Sequence, residues 1–382
     1  MVRIPFHKPF ETGHELEYIR DALSQGQLSG DGYYTRRVET LIGEKFGARH
    51  VFLTTSATHA LEMAALLLDL GPGDEVIMPS FTFPSTANAV MLRGAIPVFA
   101  EIDPATMNLN PGAVESKITG RTRAIIPVHY AGIGCAMDRI AGLAVHYRLT
   151  IIEDAAQAVN ASYRGRFLGT WGRMGCYSFH GTKNFSCGEG GALLFNDDDP
   201  ELLSRAEQLI QKGTNRHQFL KGEVDKYTWV SLGSSYTPSE LLMAVLYAQL
   251  LAADEITERR RRIHEAYATV LRPLVEAGRL GISAIPAHCR SNYHLFYIIL
   301  EDGRHRDAVK RRLEERGIGT ASHYVPLHSS PMGRRLGYAP GDLPLTEGLS
   351  ERLLRLPLWT GMSSSEVEYV IEQLKTVLRQ YA

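Results

Sequence analysis

Between residues 50 and 210, short apolar runs alternate with segments whose apolar residues recur every three or four positions. This alternation constrains the fold more than any other feature of the sequence. The short runs have the length of buried strands, and the periodic segments are typical of amphipathic helices. Strands that alternate with helices form a mostly parallel sheet covered by helices, which is an α/β fold. The predicted strands are 51–54, 75–78, 97–102, 123–128, 150–153, 175–179 and 192–195, and the predicted helices are 60–70, 85–92, 137–147 and 200–212.

The pattern changes beyond residue 236. The stretch 239–276 has helical periodicity with no strand signal inside it, and it predicts either one connecting helix or a pair of helices. We therefore expect a large α/β domain at 1–250 and a smaller α+β domain at 251–382. The elements predicted in the smaller domain are a strand at 293–300, a helix at 306–316, a strand at 319–324 and a closing helix at 363–378.

The charge balance narrows the range of partners. The sequence has 41 Lys and Arg residues against 42 Asp and Glu residues, which gives a net charge of −1. Proteins that hold nucleic acid or anionic membranes mainly by charge carry a basic surplus, so neither is an expected partner. The basic run 259–262 has two interpretations, a DNA-binding face, or a solvated face with ion pairing that involves no phosphate, and the second is the usual one in a helical stretch.

Other classes of protein are disfavoured by missing motifs. The four cysteines are widely spaced and form no C-x-x-C pair, so we expect reduced thiols and no metal site. Neither G-x-G-x-x-G nor G-x-x-x-x-G-K-[ST] occurs, which disfavours dinucleotide binding and nucleotide hydrolysis. The N-terminal residues lack the apolar stretch of a signal peptide, and the longest mostly apolar run, 60–70, is too short to span a membrane. We expect a cytoplasmic protein.

Polar residues follow three of the predicted strands, where ligands bind in open α/β sheets. The first group, residues 54–59, leads through small hydroxyl residues into a helix. Backbone N–H groups at such a helix start can bind an anion, here around Ala57 and Thr58. The alternative is a plain helix cap by Ser56 or Thr55, which the local sequence alone favours.

The second and third groups carry an acid and an amine. Asp154 ends an apolar strand, and it could hold a protonated ring nitrogen of a cofactor or simply cap the next helix. Lys183 lies between two apolar strands, and it could be a desolvated amine suited to Schiff-base chemistry or an ordinary surface lysine. An anion cradle, a ring-facing Asp and a Lys, in that chain order, are together what pyridoxal phosphate requires.

Long strings of this sequence resemble the fold-type-I aminotransferases of the DegT/StrS family, which act on nucleotide-linked keto sugars. The resemblance extends over essentially the whole chain. It implies an aspartate-aminotransferase-like fold, pyridoxal 5'-phosphate as cofactor, L-glutamate as amino donor and a homodimer with shared active sites. The strings that carry it are GPGDEVIMPSFTFPSTANAV, IPVHYAG, IIEDAAQA, GCYSFHGTKNFSCGEGGAL and ERLLRLPL.

The resemblance also implies roles for single residues. One departure concerns the Asn-Tyr-Arg sequence of many members, whose Asn reaches the neighbouring subunit's cofactor phosphate. This chain has Ser235, Tyr236 and Thr237 there, so Ser235 could still donate a hydrogen bond but the Arg is missing. The implied roles are Lys183 as Schiff-base lysine, Asp154 on the pyridine nitrogen, Gln157 beside the phenolic oxygen, Ser178 with the backbone of Ala57 and Thr58 on the phosphate, and Phe83 stacked on the ring, unless Phe83 is a core aromatic.

Further strings resemble one subgroup of the family, whose members aminate C4 of dTDP-4-keto-6-deoxyglucose. They are LSGDGYYTRR, LEMAALLLD, KGTNRHQF, VDKYTW and LGSSY. His323, Tyr324 and His328 could approach the sugar or lie in a surface loop, and Arg355 is one of several arginines that could bind a pyrophosphate. The amine could be axial or equatorial at C4. A dehydratase branch of the family has His at the lysine position, and Lys183 argues against it.

Overall fold

A computed structural model describes residues 3–379 of the chain. The strands are β1 (His50–Thr54), β2 (Glu75–Pro79), β3 (Ile96–Ala100), β4 (Thr122–Ile125), β5 (Thr150–Asp154), β6 (Ser162–Tyr163), β7 (Arg166–Phe167), β8 (Met174–Ser178), β9 (Gly191–Phe195), β10 (Gly281–Ile282), β11 (Cys289–Arg290), β12 (Phe296–Ile299) and β13 (Leu353–Leu356). The helices are α1 (Glu15–Ser24), α2 (Tyr33–Phe46), α3 (Ala57–Leu67), α4 (Pro84–Met91), α5 (Pro111–Glu115), α6 (Met137–Tyr147), α7 (Pro200–Ile210), α8 (Arg216–Leu220), α9 (Glu240–Leu251), α10 (Ala253–Glu276), α11 (Gly303–Glu315), α12 (Pro331–Arg335), α13 (Pro344–Arg352) and α14 (Ser364–Leu378).

The central sheet has seven strands in the order β1-β9-β8-β5-β4-β2-β3. Its strands are parallel except for β9, which runs antiparallel to β1 and to β8. These are the seven strands that the sequence predicts, with small differences at their ends. The predicted fold class, a fold-type-I α/β architecture with a mostly parallel sheet, is confirmed.

The sheet is apolar on both faces because helices cover both. Every residue of β2, β8 and β9 is buried. Successive side chains of a strand point to opposite faces, and accordingly Ile151 packs in one apolar core whereas Ile152 packs in the other. Buried runs of this kind are what the short apolar segments of the sequence indicate.

The C-terminal part of the chain packs around a second, smaller sheet with the order β10-β12-β13. The helical stretch before it is a pair of helices, α9 and α10, which meet at Ala252. The predicted strand 319–324 is wrong, since only Ala321 bridges to β13, at Arg355. The segment leaves the sheet because Gly319 bonds instead to the N-terminal segment, where its N–H donates to Ile4 O at 2.8 Å.

That N-terminal segment, residues 4–7, connects distant parts of the fold. Ile4 is buried in the C-terminal apolar core, and its N–H donates to Gly317 O at 2.8 Å. Three residues later, His7 Nε2 donates to Gly181 O at 2.9 Å, in the loop that follows β8. The segment therefore runs from the C-terminal core to the loop at the carboxyl end of β8, an inner strand of the central sheet.

Within residues 3–379, no helix combines the length and the apolar character that crossing a bilayer requires.

Candidate active site

A cavity of about 850 Å³ lies beyond the carboxyl ends of β4, β5 and β8, between the central sheet and the C-terminal part of the chain. This is the edge at which open α/β sheets bind ligands. The structure brings nearly all of the sequence-predicted site residues to its wall, together with several that the sequence does not select. Its lining includes Phe6, His7, Ala57, Thr58, Phe83, Asp154, Gln157, Ser178, Lys183, Arg260, His294, His323, Tyr324 and Arg355.

Lys183 follows β8 in a tight turn, in which its N–H donates to His180 O at 2.8 Å. Its amine makes no hydrogen bond or ion pair with any residue in 3–379. Its pKa is lowered to about 8, because burial lowers the pKa more than the carboxylate of Asp154 raises it, and the charge of Arg355 adds to the lowering. At pH 7.5 about a quarter of such amines are neutral, against roughly 0.1% at an ordinary lysine pKa. Lys183 therefore lines the cavity with a lowered pKa, and such an amine is suited to nucleophilic attack.

Asp154 lies at the end of β5 and is buried. Its Oδ2 accepts a hydrogen bond of 2.7 Å from Thr86 Oγ1, and its Oδ1 accepts one of 3.2 Å from Ala156 N–H. Thr86 in turn lies 2.9 Å from Thr82 Oγ1. The carboxylate is thus held by α4 and by its own turn, facing the same cavity as Lys183, and it caps no helix.

Ser56 caps the start of α3, and two backbone N–H groups of this first turn remain free. Ser56 Oγ accepts a hydrogen bond from His59 N–H at 3.2 Å, so the capping interpretation of this stretch is correct. The N–H groups of Ala57 and Thr58 have no acceptor in residues 3–379, and both residues line the cavity. Ser178, at the end of β8, lines it as well. Two free backbone donors at the positive end of a helix, with a hydroxyl nearby, can hold an anion.

Phe83 is 59% exposed and lines the cavity, so it is not a core aromatic. It precedes α4 directly. Its ring centroid lies 6.5 Å from that of Tyr324. An exposed aromatic face at the cavity wall is available to a planar ligand ring.

Gln157, His323 and Tyr324 form one wall of the cavity. Gln157 Nε2 donates to Tyr324 Oη at 3.1 Å, and its Oε1 accepts from Ala131 N–H at 2.8 Å. The rings of His323 and Tyr324 are stacked with centroids 3.9 Å apart. Burial and the charges of Arg355 and Lys183 lower the pKa of His323 to about 2, so this imidazole is neutral. The surface-loop interpretation is wrong for His323 and Tyr324.

His328 lies apart from this wall. It is buried between Ser80 Oγ, at 2.7 Å, and Glu347 Oε1, at 2.8 Å. Both of its ring nitrogens are therefore occupied by the protein, which gives it a structural role.

Ser235 does not line the cavity of its own chain. It is exposed, and it pairs by a single β-bridge with Gln211.

The basic run 259–262 divides into two environments. Arg259, Arg261 and Arg262 form ion pairs with glutamates on the same helix, in agreement with the ion-pair interpretation. Arg260 points inward instead and is buried. Its guanidinium donates to the carbonyl oxygens of Tyr293, His294 and Leu358.

The model of the DegT/DnrJ/EryC1/StrS aminotransferase family matches residues 9–375. The aminotransferase TlmJ of Streptoalloteichus hindustanus is 33% identical, with all of both chains covered and a TM-score of 0.91. DesV of S. venezuelae is 32% identical, with 98% of both chains covered and a TM-score of 0.88. Spr1654 of Streptococcus pneumoniae, described as a candidate sugar aminotransferase and solved in its PMP form, is 28% identical, with full coverage of both chains and a TM-score of 0.93.

Proposed function

The chain belongs to the DegT/DnrJ/EryC1/StrS aminotransferase family, whose members use pyridoxal phosphate, and from this premise we propose that it is a sugar aminotransferase. The reaction we propose moves the amino group of L-glutamate to C4 of dTDP-4-keto-6-deoxy-D-glucose. Its products are dTDP-4-amino-4,6-dideoxy-D-galactose and 2-oxoglutarate, which would make the protein a dTDP-4-amino-4,6-dideoxygalactose transaminase. We place it in the cytoplasm, with nucleotide-linked sugar and glutamate as its small-molecule substrates.

The residues of the cavity fit the cofactor. Lys183 offers an unpaired amine, Asp154 a buried carboxylate, the start of α3 two free N–H donors, and Phe83 an exposed aromatic face. When bound, pyridoxal phosphate supplies an electron sink that stabilises a carbanion at the carbon bearing the amino group. In this proposal Ser178 and the α3 donors hold the phosphate, and Gln157 lies beside the phenolic oxygen.

Lys183 has two tasks in the proposed reaction. Its neutral amine would hold the cofactor as long as no donor is bound. The free Nζ acts as general base and removes the α-proton of glutamate. A lysine pKa of about 8 suits both tasks, since the amine can take up a proton and give it back near neutral pH.

Asp154 keeps the ring nitrogen of the cofactor protonated. A carboxylate beside a protonated ring nitrogen forms a charge-assisted hydrogen bond, and the negative charge favours the cationic form of the ring. The hydrogen bonds from Thr86 and Ala156 fix the rotamer of Asp154 in advance, so no reorganisation is needed when the cofactor binds.

One observation carries the proposal: an unpaired, half-buried amine and a buried carboxylate face the same cavity, at the strand ends of a family aminotransferase fold. The test adds pyridoxal phosphate and glutamate and follows the cofactor absorbance together with 2-oxoglutarate release. The protein is then incubated with glutamate and dTDP-4-keto-6-deoxyglucose, and the C4 configuration of the product is determined by NMR. An axial amine supports the galactose product, whereas an equatorial amine would assign the glucose epimer.

Two other functions fit less well. The dehydratase branch requires His where this chain has Lys183. DNA binding by the run 259–262 would need free cations, but three of these arginines are paired with glutamates and Arg260 is buried.

We further propose that the protein is a homodimer with shared active sites. The segment 219–232 exposes large apolar side chains, and a surface of this kind is typical of a protein–protein interface. Ser235 follows directly and would reach the partner subunit's phosphate site. The exposed side chains are Phe219, Leu220, Tyr227, Trp229, Val230 and Leu232.

The domain division that we propose places the cofactor domain in residues 1–250 and the small domain in 251–382. Support comes from the separate apolar core of the C-terminal part, which includes residues of α10, β12, β13 and α14. Ile4 also packs in that core, so the first residues of the chain lie against the small domain.

A further inference from the structure

Asn184 follows Lys183 directly, and its side chain is held at both ends by a segment that precedes β12. Its Nδ2 donates to Asn292 O at 2.7 Å, and its Oδ1 lies 2.8 Å from His294 Nδ1. Asn184, Asn292 and His294 are all buried. The residue beside the lysine is therefore tied by two buried hydrogen bonds to residues that follow it 108 and 110 positions later in the sequence.

These contacts determine which nitrogen of the His294 ring carries a proton. An amide oxygen only accepts hydrogen bonds, so His294 Nδ1 must carry the hydrogen that it donates to Asn184 Oδ1. The orientation of the Asn184 amide follows from Asn292 O, which can accept only from Nδ2. The ring is thus fixed as a donor towards the lysine turn.

The His294 ring is also neutral. Burial, more than any neighbour, lowers its pKa well below the usual range of a histidine. Positive groups from four other parts of the chain act in the same direction; they are Lys183, Arg260, Arg355 and His323. His294 therefore holds the turn without placing a further positive charge beside Lys183, whose amine must itself take up a proton.

Asn292 holds the turn after β5 in a similar way. Its Nδ2 donates to Gln157 O at 2.9 Å and to Val159 O at 2.8 Å, and its Oδ1 accepts from His294 N–H at 3.1 Å. The side chain is tightly enclosed, since a Cβ on Gly132 would lie 1.8 Å from Asn292 Oδ1. The segment 291–294 thus contacts the turns that follow β5 and β8, the two strands that lead to Asp154 and Lys183.

The segment 291–294 is itself held in a strained conformation. Tyr293 has a φ of 54°, in the left-handed region, which a bulky residue adopts only where its surroundings enforce it. Its N–H donates to Ser291 Oγ at 2.9 Å. Arg260 donates to Tyr293 O at 3.1 Å and to His294 O at 2.7 Å. The buried guanidinium of Arg260 therefore keeps this segment in place.

We propose that the segment 291–294 is a positioning element for Lys183, because it holds the Asn184 side chain between His294 Nδ1 and Asn292 O and so fixes the lysine turn. The proposal rests on the proposed function, in which Lys183 is the reacting amine. Asn184, Asn292 and His294 are positioning residues in this account, and they act through Lys183. A fixed turn keeps the amine half-buried at the cavity wall, where its pKa is lowered.

Competitive acetylation of the apoprotein tests this proposal without the cofactor. A trace of acetic anhydride reacts with neutral amines, and peptide mass spectrometry gives the labelling of Lys183 at each pH, with a wild-type midpoint at about 8. In His294→Leu the turn loses its hold and the amine gains solvent. Because burial is the largest cause of the lowered pKa, the midpoint should rise. We expect the neutral fraction at pH 7.5 to fall about 5- to 10-fold.

Two further variants distinguish the hydrogen bond from the bulk of the side chain. An asparagine side chain can place an amide N–H near the position of Nδ1, so His294→Asn should restore most of the wild-type midpoint. Asn184→Ala removes both contacts of the turn and should behave like His294→Leu.

His328→Leu is the matched control. His328 is also a buried histidine with hydrogen bonds from the ring, but it does not line the cavity and does not contact the lysine turn. This variant should lower the melting temperature and leave the Lys183 midpoint near its wild-type value.

The loaded enzyme gives a second readout. In His294→Leu the rate constant of the half-reaction with glutamate should fall roughly 10-fold, because a misplaced base removes the α-proton more slowly. KM for glutamate should change less than about twofold, since the donor-binding groups are intact.

The outcomes separate this proposal from a merely structural role. An unchanged Lys183 midpoint in His294→Leu and Asn184→Ala, with lower melting temperatures, would overturn the proposal. An equal rise of the midpoint in His328→Leu would show general loosening and overturn it as well. If His294→Leu does not fold, Asn184→Ala and His294→Asn decide the question. If the wild-type protein does not react with glutamate, the proposed function fails, whereas acetylation still shows whether the segment positions Lys183.

Discussion

Thr86 Oγ1 donates a hydrogen bond of 2.7 Å to Asp154 Oδ2, and this contact joins α4 to the end of β5. Both residues are buried. In Thr86→Val the carboxylate loses this donor, which costs about 1 kcal/mol. We expect the Kd of pyridoxal phosphate to rise about fivefold, whereas Thr86→Ser should keep the bond and stay near the wild-type value. Fluorescence titration of the cofactor measures this, and equal affinity of Thr86→Val and wild type would show that the contact does not orient Asp154.

The rate of cofactor capture should depend on pH through Lys183. The neutral amine is the nucleophile, so the rate should rise with pH, with a midpoint at the lysine pKa of about 8, and then level off. Arg355→Met removes a positive charge that favours the neutral amine, so the midpoint should move up. Asp154→Asn removes a negative charge that favours the ammonium form, so it should move down. Stopped-flow absorbance of the apoprotein from pH 6 to 10 measures both shifts, and a shift of either variant in the other direction would contradict this assignment.

Glu240 should stabilise the start of α2. This buried carboxylate accepts hydrogen bonds from the N–H groups of Gly32, at 3.0 Å, and Tyr34, at 2.6 Å, and from Thr35 Oγ1. Glu240→Gln replaces one acceptor oxygen by a donor that would face these donors, and we expect a loss of about 2 kcal/mol in the free energy of unfolding. Glu255→Gln, on the exposed side of α10, is the control and should cost less than about 1 kcal/mol. Thermal melts of the two variants compare them, and equal melting temperatures would contradict the prediction.

Self-association should depend on the exposed apolar segment 219–232. Trp229 is 75% exposed and Leu232 is 67% exposed. The double substitution Trp229→Glu and Leu232→Glu places charges on this surface, and we expect it to shift the dimer towards the monomer. Sedimentation velocity at several concentrations measures the change. If the doubly substituted protein forms a dimer as stable as that of the wild type, the interface lies elsewhere. If the wild-type protein is itself a monomer, the proposed homodimer is wrong.

The sequence predicts the parts of the site that depend on local patterns. Apolar periodicity locates β5 and β8, and parallel strands direct their carboxyl ends to one edge, so Asp154 and Ser178 can be expected at a common site. Lys183 is identified by its place between two apolar strands and by the family strings around it. The free donors at the start of α3 follow from the small residues that precede the helix.

The contacts that the sequence does not predict join residues far apart in the chain. Phe6 contacts Arg355 only because the N-terminal segment packs against the C-terminal core. No periodicity of the sequence predicts that packing. Thr86 lies inside a helix, where its neighbours in the sequence indicate nothing about a carboxylate at the end of a distant strand. A signal for Arg355 does exist, since it is a charged residue in the middle of an otherwise apolar strand, but several other arginines compete with it.

The predicted strand 319–324 shows the limit of local patterns in the same region. Thr320 and Tyr324 are residue types that favour strands, yet Gly319 approaches the N-terminal segment so closely that a Cβ there would lie 2.6 Å from Phe6 N. That close contact takes the chain out of the small sheet. His323 and Tyr324 then enter the cavity instead of a strand.

The central claim is that Lys183 holds the cofactor, and reductive trapping tests it most directly. The protein is incubated with pyridoxal phosphate, reduced with borohydride, digested and analysed by peptide mass spectrometry. We expect the cofactor mass on the peptide containing Lys183, and none on the Lys183→Ala protein, which should also lose multiple-turnover transamination. Cofactor mass on another lysine, with Lys183 unmodified, would contradict the account.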